Sequence, residues 1–93
     1  MNPVYLDIET TGLSVFTDKV TLIQILQDDK LRLIQNLTSE KIAEIKNILE
    51  NNLVVGHNLK FDLKFMKYNF GIECPNIFDT YLTELILSGG SKA

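Results

Sequence analysis

Apolar and polar residues alternate at the start of the chain. Residues 4–9 form an apolar run that carries two acids, Asp7 and Glu9, two positions apart. Side chains alternate between faces along a strand, so the two acids share one face with Tyr5 and the apolar even-numbered residues share the other. The pattern predicts a first strand, and Thr10-Thr11-Gly12 predicts the turn that leaves both acids near an exposed strand end.

Two further apolar runs follow, at residues 20–26 and 31–34, on either side of the polar turn 27–30. The first of these runs is rich in β-branched residues, and the turn carries Asp28-Asp29. Both features favour strands joined by a tight connection. The sequence therefore predicts an antiparallel hairpin over residues 20–35.

The apolar period becomes helical after Thr38-Ser39, either of which can cap a helix. The residues that share one helical face are Ile42, Ile45, Ile48 and Leu49. Asn51-Asn52 is the predicted helix stop, because Asn tolerates the left-handed conformation. The short apolar segment 53–56 that follows predicts a buried strand of a parallel pair.

A second helix is predicted from about Asn58 to Tyr68, stopped at Gly71. Residues 77–78 predict a very short strand, and Asp79 is the predicted N-cap of a third helix. This helix buries Leu82, Leu85 and Ile86 and ends at Gly89-Gly90. The element order β-β-β-α-β-α-(β)-α implies an α/β fold, with helices packed on a mixed sheet.

Length and composition narrow the class of protein. The 93 residues predict one domain, 1–93, and 45% hydrophobic with 23% charged residues is typical of globular proteins. The lone Cys74 cannot form an internal disulfide, which is compatible with a reducing compartment. There is no secretory signal and no apolar run near the ~18 residues of a membrane span. We therefore expect a cytoplasmic protein without membrane contact.

Charge also limits the ways in which a nucleic acid could bind. The net charge of −3 gives no overall basic surface. Affinity for nucleic acid would have to come from local contacts and bound metal ions. Two adjacent carboxylates such as Asp7 and Glu9 repel when both are ionised, and magnesium or manganese would relieve that repulsion. The alternative interpretation is a strand end with solvated acids.

A second acid stands out at Asp62. On the predicted helix it lies near the middle of an apolar arc, one turn from Asn58; the arc consists of Leu59, Phe61, Leu63, Phe65 and Met66. A carboxylate on a buried face must be paired, hydrogen-bonded or facing a metal ion. Asp62 is therefore a candidate functional acid, and its alternative is a carboxylate satisfied by backbone or lysine contacts.

For the other chemically reactive residues, the sequence favours structural roles over functional ones. Lys60, Lys64 and Lys67 share the opposite side of this helix, where a solvated outer face is favoured over phosphate binding. His57, the only histidine, lies at a strand-to-helix junction, which favours packing or a backbone hydrogen bond over catalysis. Cys74 has no motif around it and is assigned no chemistry.

The motifs Asp-Ile-Glu-Thr-Thr-Gly-Leu and Gly-His-Asn-Leu-Lys-Phe-Asp together resemble the first two motifs of the DEDD 3′–5′ exonucleases. The chain looks most like the proofreading domain of DNA polymerase I and like ribonuclease D. Segments 17–24 and 77–80 support the resemblance. It implies a ribonuclease H-like fold, with a five-stranded mixed sheet that is antiparallel over its first three strands, then parallel, and flanked by helices.

The resemblance also implies site residues and cofactors. Asp7, Glu9 and Asp62 match catalytic acids that hold two divalent ions, Mg²⁺ or Mn²⁺. Thr10, Leu13 and Asn58 match substrate contacts, the leucine by packing against the 3′-terminal base. The implied partner is a single-stranded nucleic-acid 3′ end, with DNA favoured over RNA, and the implied reaction is two-metal phosphodiester hydrolysis.

The chain departs from the family at the third motif, a Tyr or His followed four positions later by the fourth acid. Neither Tyr68 nor Tyr81 has an acid at that spacing, where Ile72 and Leu85 stand. We therefore expect a truncated exonuclease domain without its C-terminal helices, joined in the parent protein to a polymerase domain or further C-terminal segment. A short natural form is the alternative.

Two other functions remain as hypotheses. The missing motif and the absence of a basic surface favour a catalytically inactive nucleic-acid-binding or scaffold remnant of the same fold. An endonuclease of the wider ribonuclease H-like group is disfavoured, because those enzymes do not usually place acids at positions i and i+2 of the first strand.

Overall fold

The computed structural model describes residues 3–81. The elements are β1 Pro3–Thr10, β2 Val20–Gln27, β3 Lys30–Ile34, α1 Ser39–Glu50, β4 Leu53–Gly56, α2 Leu59–Phe70 and β5 Ile77–Asp79. Across the sheet the strands follow the order β3-β2-β1-β4-β5. β2 runs antiparallel to β1 and β3, while β4 runs parallel to β1 and β5. The predicted mixed sheet is confirmed, and the body of the predicted third helix lies outside the described residues.

A two-residue turn joins β2 to β3. Asp28 and Asp29 have φ values of 51° and 63° and lie between the paired residues Gln27 and Lys30. Two successive positive φ values are typical of the tight hairpin turn whose twist matches antiparallel strands, and Asp tolerates them better than most residues. The hairpin predicted from the polar turn is therefore confirmed.

The first helix begins and ends where predicted, but its C-terminus is capped in a different way. The Thr38 side chain accepts a hydrogen bond from the backbone N–H of Lys41 at 3.3 Å, which is the expected N-cap bond. The predicted stop at Asn51-Asn52 is confirmed, since α1 ends at Glu50, but Asn51 has φ −110° and not the left-handed conformation expected there. The side-chain amides of Asn51 and Asn52 instead donate to backbone carbonyls one turn back, at 2.7 and 2.8 Å. The exposed end of the helix is thus satisfied by side chains.

The second helix ends at a left-handed glycine. Gly71 has φ 68°, and its N–H bonds back to the carbonyl of Lys67 at 2.9 Å. This is the C-terminal cap that glycine permits without a steric penalty, and it confirms the predicted stop. Neither α1 nor α2 exceeds 12 residues, and no helix among residues 3–81 has the length and apolarity to cross a membrane.

Both helices cover the same face of the sheet. Their inward residues join those of the strands in one apolar core; its fully buried members include Val4, Ile23, Ile25, Ile45, Leu49, Leu59, Phe65 and Met66. The opposite face carries Tyr5, Leu31 and Leu33, which are 49%, 61% and 61% exposed. Within residues 3–81, therefore, one face of the sheet is packed and the other faces solvent.

Candidate active site

The first strand presents its two acids on the solvent side of the sheet. Asp7 and Glu9 are exposed, whereas the neighbouring Ile8 is buried, as strand alternation predicts. The ladder with β2 shifts register between Glu9 and Thr10. Such a bulge locally interrupts strand pairing, and here it does so directly beside the acids.

On its other side, β1 loses its partner strand before the acids are reached. Pairing with β4 ends at Tyr5 and Val55, so the next backbone groups on that side need other partners. The backbone N–H of Ile8 donates to Oδ2 of Asp62 at 3.2 Å, across 54 residues of sequence. This bond places the helical carboxylate against the backbone that links Asp7 to Glu9.

A close approach at Gly56 lets α2 begin over β1. A Cβ atom on Gly56 would lie 2.8 Å from the carbonyl oxygen of Leu6 and 2.5 Å from Cδ2 of Leu59. Both distances are shorter than a carbon atom tolerates, so a larger residue would push β1 and α2 apart. The glycine between β4 and α2 therefore allows the approach that joins Asp62 to Ile8.

The N-terminus of α2 is capped by a carboxylate from another element. Asn58 is left-handed, with φ 56° and ψ 48°, and makes no side-chain cap bond. Asp79 accepts instead from the backbone N–H groups of Asn58 and Leu59, both at 2.9 Å. It also accepts from the N–H of Tyr81 at 2.9 Å, the bond expected of the predicted N-cap. One carboxylate thus fixes two segments and adds negative charge at the positive end of α2.

Asp62 is buried, with 5% of its surface exposed. Burial is the largest cause that raises its pKa from 3.8 to about 7, and the charge of Asp7 raises the pKa further. The N–H of Ile8 lowers the pKa, and the charge of Asp79 raises it. The ionised carboxylate is therefore unfavourable without a cation nearby. Of the partners predicted for this acid, the structure shows the backbone hydrogen bond.

The residues predicted to contact substrate lie at the end of β1 and on the segments that follow β1 and β4. Thr10 donates its hydroxyl to the carbonyl of Gly12 at 2.6 Å. Leu13 is 86% exposed, and Asn58 is exposed at the start of α2. Leu13 and Asn58 are therefore accessible to a ligand, whereas Thr10 is half-buried. The roles of all three residues stay predictions.

The loop that carries Leu13 is held by Asp18. This carboxylate accepts from the hydroxyl of Thr11 at 3.0 Å and from the backbone N–H of Ser14 at 2.9 Å. A Cβ atom on Gly12 would lie 2.5 Å from the same carboxylate. The loop is therefore held by its own polar contacts, together with Val15, which packs against the core.

His57 is exposed and bonded through one ring nitrogen. Its Nδ1 lies 3.1 Å from the hydroxyl of Thr80, which itself donates to the carbonyl of Gly56 at 3.1 Å. A hydroxyl has one proton, so the ring is the donor and neutral His57 carries its hydrogen on Nδ1. The ring also packs edge-on against Tyr81, with centroids 5.3 Å apart. The predicted packing is confirmed, and the hydrogen bond goes to a side chain rather than to the backbone.

The predicted exposure of the α2 lysines is confirmed, and the Cys74 thiol is unreactive. Lys60, Lys64 and Lys67 are exposed on the outer side of α2, and Lys67 pairs with Glu73 at 3.0 Å. Burial raises the pKa of the Cys74 thiol to about 11, which disfavours the reactive thiolate.

The acids have the chemistry of a divalent-cation site. Carboxylate oxygens are the hard ligands that Mg²⁺ and Mn²⁺ prefer, and the charges of Asp7 and Asp62 repel each other. Within residues 3–81, no three His, Cys, Asp or Glu side chains are grouped closely enough to hold an ion. Mg²⁺ is usually bound by one or two carboxylates together with waters and substrate phosphates. The repelling carboxylates of Asp7 and Asp62 therefore fit a divalent ion in their chemistry.

Comparison with known proteins shows what the chain is similar to. The family model described as 3′–5′ exonuclease matches residues 1–92. DNA polymerase I of Aquifex aeolicus (strain VF5) is 36% identical over 84 residues, which are 90% of this chain and 14% of the polymerase. The chain therefore spans only a small part of that relative.

Solved structures show the same fold. One described as the apo form of a nuclease matches with a TM-score of 0.85 and 20% identity, over 98% of this chain and 46% of that chain. Brucella melitensis NrnC bound to pGG matches with a TM-score of 0.81 and 21% identity, over 98% of this chain and 47% of that chain. These likenesses agree with the predicted ribonuclease H-like architecture. Since the family model spans nearly every residue, the chain belongs to the 3′–5′ exonuclease family.

Proposed function

We propose that this chain is the catalytic part of a metal-dependent 3′–5′ exonuclease, which hydrolyses phosphodiester bonds at the 3′ ends of single-stranded nucleic acid. The observation that carries the proposal is the bond from Ile8 to Asp62. It sets a buried carboxylate against the strand between Asp7 and Glu9, in a chain of this family. The polymerase relative favours DNA over RNA as the substrate.

In this proposal Asp7, Glu9 and Asp62 hold two divalent ions. When bound, such ions activate a water molecule, orient the scissile phosphate and stabilise the leaving 3′ oxygen. Asp7 and Glu9 face solvent and are open to a phosphate, whereas Asp62 supplies a buried negative charge that a cation would stabilise. A solved form of Brucella melitensis NrnC with bound Mg²⁺ supports the choice of metal.

The substrate contacts follow from the segments around the acids. Leu13, exposed on the ordered loop after β1, packs against the 3′-terminal base in this proposal. Thr10 and Asn58 offer polar groups to the same nucleotide. The NrnC structure bound to pGG supports a nucleic-acid ligand for this fold.

We also propose that residues 1–93 act within a longer protein. The support is that the chain spans 14% of the polymerase and 46% and 47% of the two nucleases it matches. A further segment of the parent protein, or a polymerase domain, would then supply the fourth family acid and complete the tighter metal site.

The test is digestion of a 5′-labelled single strand by the 93-residue chain with Mg²⁺ or Mn²⁺. We expect a ladder that shortens slowly from the 3′ end, because the fourth family acid is proposed to come from a further segment. The ladder should be lost in a chelator and in Asp7→Asn. The matched control is Asp29→Asn, in the exposed β2–β3 turn, where Asn tolerates the positive φ. A folded chain that leaves the strand intact, or a ladder that survives Asp7→Asn, would contradict catalysis by this site.

A second candidate is a nucleic-acid-binding module that lacks turnover. The observation in its favour is that the described residues, 3–81, do not group three metal-binding side chains. Strand binding without shortening at any metal concentration would support this function instead.

A further inference from the structure

An exposed pair of aromatic rings lies on the outer side of α2. Phe16 of the loop after β1 meets Tyr68 of α2 edge to face, with ring centroids 5.2 Å apart and planes at 81°. The rings remain 76% and 57% exposed. Their contact therefore joins the loop to the helix while most of both side chains faces solvent.

The loop holds Phe16 in place. Its ends are bonded to each other, because the N–H of Thr11 donates to the carbonyl of Lys19 at 2.9 Å. Inside the loop, Asp18 donates its N–H to the carbonyl of Ser14 at 2.8 Å, and Ser14 Oγ accepts from the N–H of Phe16 at 3.3 Å. A ring that is already fixed loses little freedom when a ligand binds it.

Positive charge lies directly beside the ring pair. Lys60, Lys64 and Tyr68 follow one another at intervals of four residues, so their side chains are neighbours along α2. Among residues 3–81, Lys60 and Lys64 have no ion-pair partner, whereas Lys67 is paired with Glu73. An open hollow of about 350 Å³ is lined by Lys64, Lys67 and Tyr68.

We propose that Phe16, Tyr68, Lys60 and Lys64 form a binding surface for single-stranded nucleic acid on the 5′ side of its terminal nucleotide. Aromatic faces stack with any base, and lysines neutralise phosphates, which is the combination that binds single strands without sequence preference. Unpaired cations on a chain of net charge −3 favour an anionic ligand over an apolar protein partner.

We infer that the strand runs with its 3′ end at Leu13 and its 5′ side at the ring pair. This part of the inference rests on the proposed function. Leu13, the residue proposed to contact the 3′-terminal base, lies three positions before Phe16 on the same loop. In this proposal a strand whose last base meets Leu13 continues along the loop, and its earlier nucleotides meet Phe16 and Tyr68. We call Phe16, Tyr68, Lys60 and Lys64 the stacking surface.

The test measures binding of fluorescent oligonucleotides to the full chain by anisotropy, in a chelator so that no hydrolysis occurs. The probes are a strand of about ten nucleotides, within the usual site sizes of single-strand binders, and a dinucleotide. Phe16→Ala and Tyr68→Ala should each weaken the longer probe about 5- to 150-fold, which corresponds to the loss of one stacked base. Binding of the dinucleotide should be unchanged.

Matched variants separate stacking from general effects. Phe16→Tyr should keep the affinity for the longer probe, whereas Phe16→Leu should lose it. Lys64→Gln should reduce the slope of log affinity against log salt by about 0.7, the value for one phosphate of a single strand. Leu31→Ala on β3 and Lys46→Gln on α1 are the controls, since both residues are exposed outside the stacking surface.

The outcomes distinguish this inference from the proposed function. Unchanged affinity for the longer probe in folded Phe16→Ala and Tyr68→Ala, or full affinity in Phe16→Leu, overturns the stacking surface even if the chain digests 3′ ends. Strand binding that depends on both rings in a chain without exonuclease activity supports the surface and removes the proposed function.

Discussion

Asp62 and Ile8 are joined by a hydrogen bond of 3.2 Å between the helical carboxylate and the strand N–H. Because Ile8 lies between Asp7 and Glu9, this bond sets the position of α2 relative to both strand acids. The same carboxylate is buried and carries a raised pKa. The bond therefore defines the geometry of the candidate site, while burial makes its negative charge unfavourable without a cation.

Asp62→Asn should stabilise the metal-free chain at alkaline pH. In the unfolded chain Asp62 loses its proton near pH 3.8, whereas in the folded chain it keeps the proton until about pH 7. The folded state therefore loses stability relative to the unfolded state as pH rises from 4 to 7. Each pKa unit is worth about 1.4 kcal/mol, so the variant should gain a few kcal/mol at pH 8 and much less at pH 4.

Urea unfolding of Asp62→Asn and of the unchanged chain at both pH values measures this gain. Asp28→Asn, in the exposed hairpin turn, is the control for losing one negative charge. If Asp62→Asn raises the free energy of unfolding equally at pH 4 and pH 8, burial does not raise the pKa of Asp62.

Mg²⁺ should reverse the same destabilisation. A cation that binds the folded chain raises its stability by mass action, and here it would do so by stabilising ionised Asp62 beside Asp7. Millimolar Mg²⁺ should raise the melting temperature more at pH 8 than at pH 5, because Asp62 is protonated at the lower pH. Differential scanning calorimetry of the unchanged chain and of Asp7→Asn checks this. An equal rise in melting temperature in the two proteins would show that the ion does not bind at Asp7.

Asp79→Ala should destabilise the fold more than the loss of an ordinary helix cap. The substitution removes the acceptor of three backbone N–H groups, those of Asn58, Leu59 and Tyr81. The bond from Leu59 is buried and the other two are partly buried. A buried donor without an acceptor costs about 1–3 kcal/mol, so we expect a loss of about 3 kcal/mol in urea unfolding. Thr38→Ala, which removes the N-cap of α1, should cost about 1 kcal/mol. Equal losses would show that Asp79 caps only one segment.

Gly56→Ala should separate α2 from β1. The added methyl group would meet the Leu6 carbonyl and the Leu59 side chain, and forcing such contacts apart costs about 1–3 kcal/mol. Gly71→Ala is the matched control, because nothing lies within 4 Å of its added methyl group and only its φ of 68° is strained. Gly56→Ala should also weaken the bond from Ile8 to Asp62, seen as faster amide exchange at Ile8. Unchanged exchange would show that the close approach does not position α2.

Local patterns predicted most of this fold. Alternation along β1 separated Asp7 and Glu9 from the core, and Asp28-Asp29 marked the hairpin. The position where α1 ends was predicted, but the conformation of Asn51 was not, because an Asn residue has two ways to end a helix. It can adopt a left-handed backbone, or its side-chain amide can bond the carbonyls of the last turn. Sequence alone does not rank these two conformations at Asn51.

The long-range bonds were harder to predict. The apolar arc of α2 marked Asp62 as a buried acid, but its bond to Ile8 depends on where β4 stops pairing with β1. Asp79 was assigned only to the following helix, because its contact with α2 arises from the pairing of Gly56 with Asp79 across β4 and β5. One signal in the sequence could have revealed this contact. The short strand β5 ends in Asp79, and it pairs with β4, the strand that precedes α2.

The measurement that tests the account most directly is Mn²⁺ binding in the presence of a nucleic-acid 3′ end. The free-ion signal in electron paramagnetic resonance reports unbound Mn²⁺ and gives the bound ion by difference. A phosphorothioate at the terminal linkage of the single strand slows its hydrolysis. We predict that the strand tightens Mn²⁺ binding to the unchanged chain and to Asp29→Asn, but not to Asp7→Asn or Asp62→Asn. Equal Mn²⁺ binding by all four folded proteins would contradict a metal site built on Asp7 and Asp62.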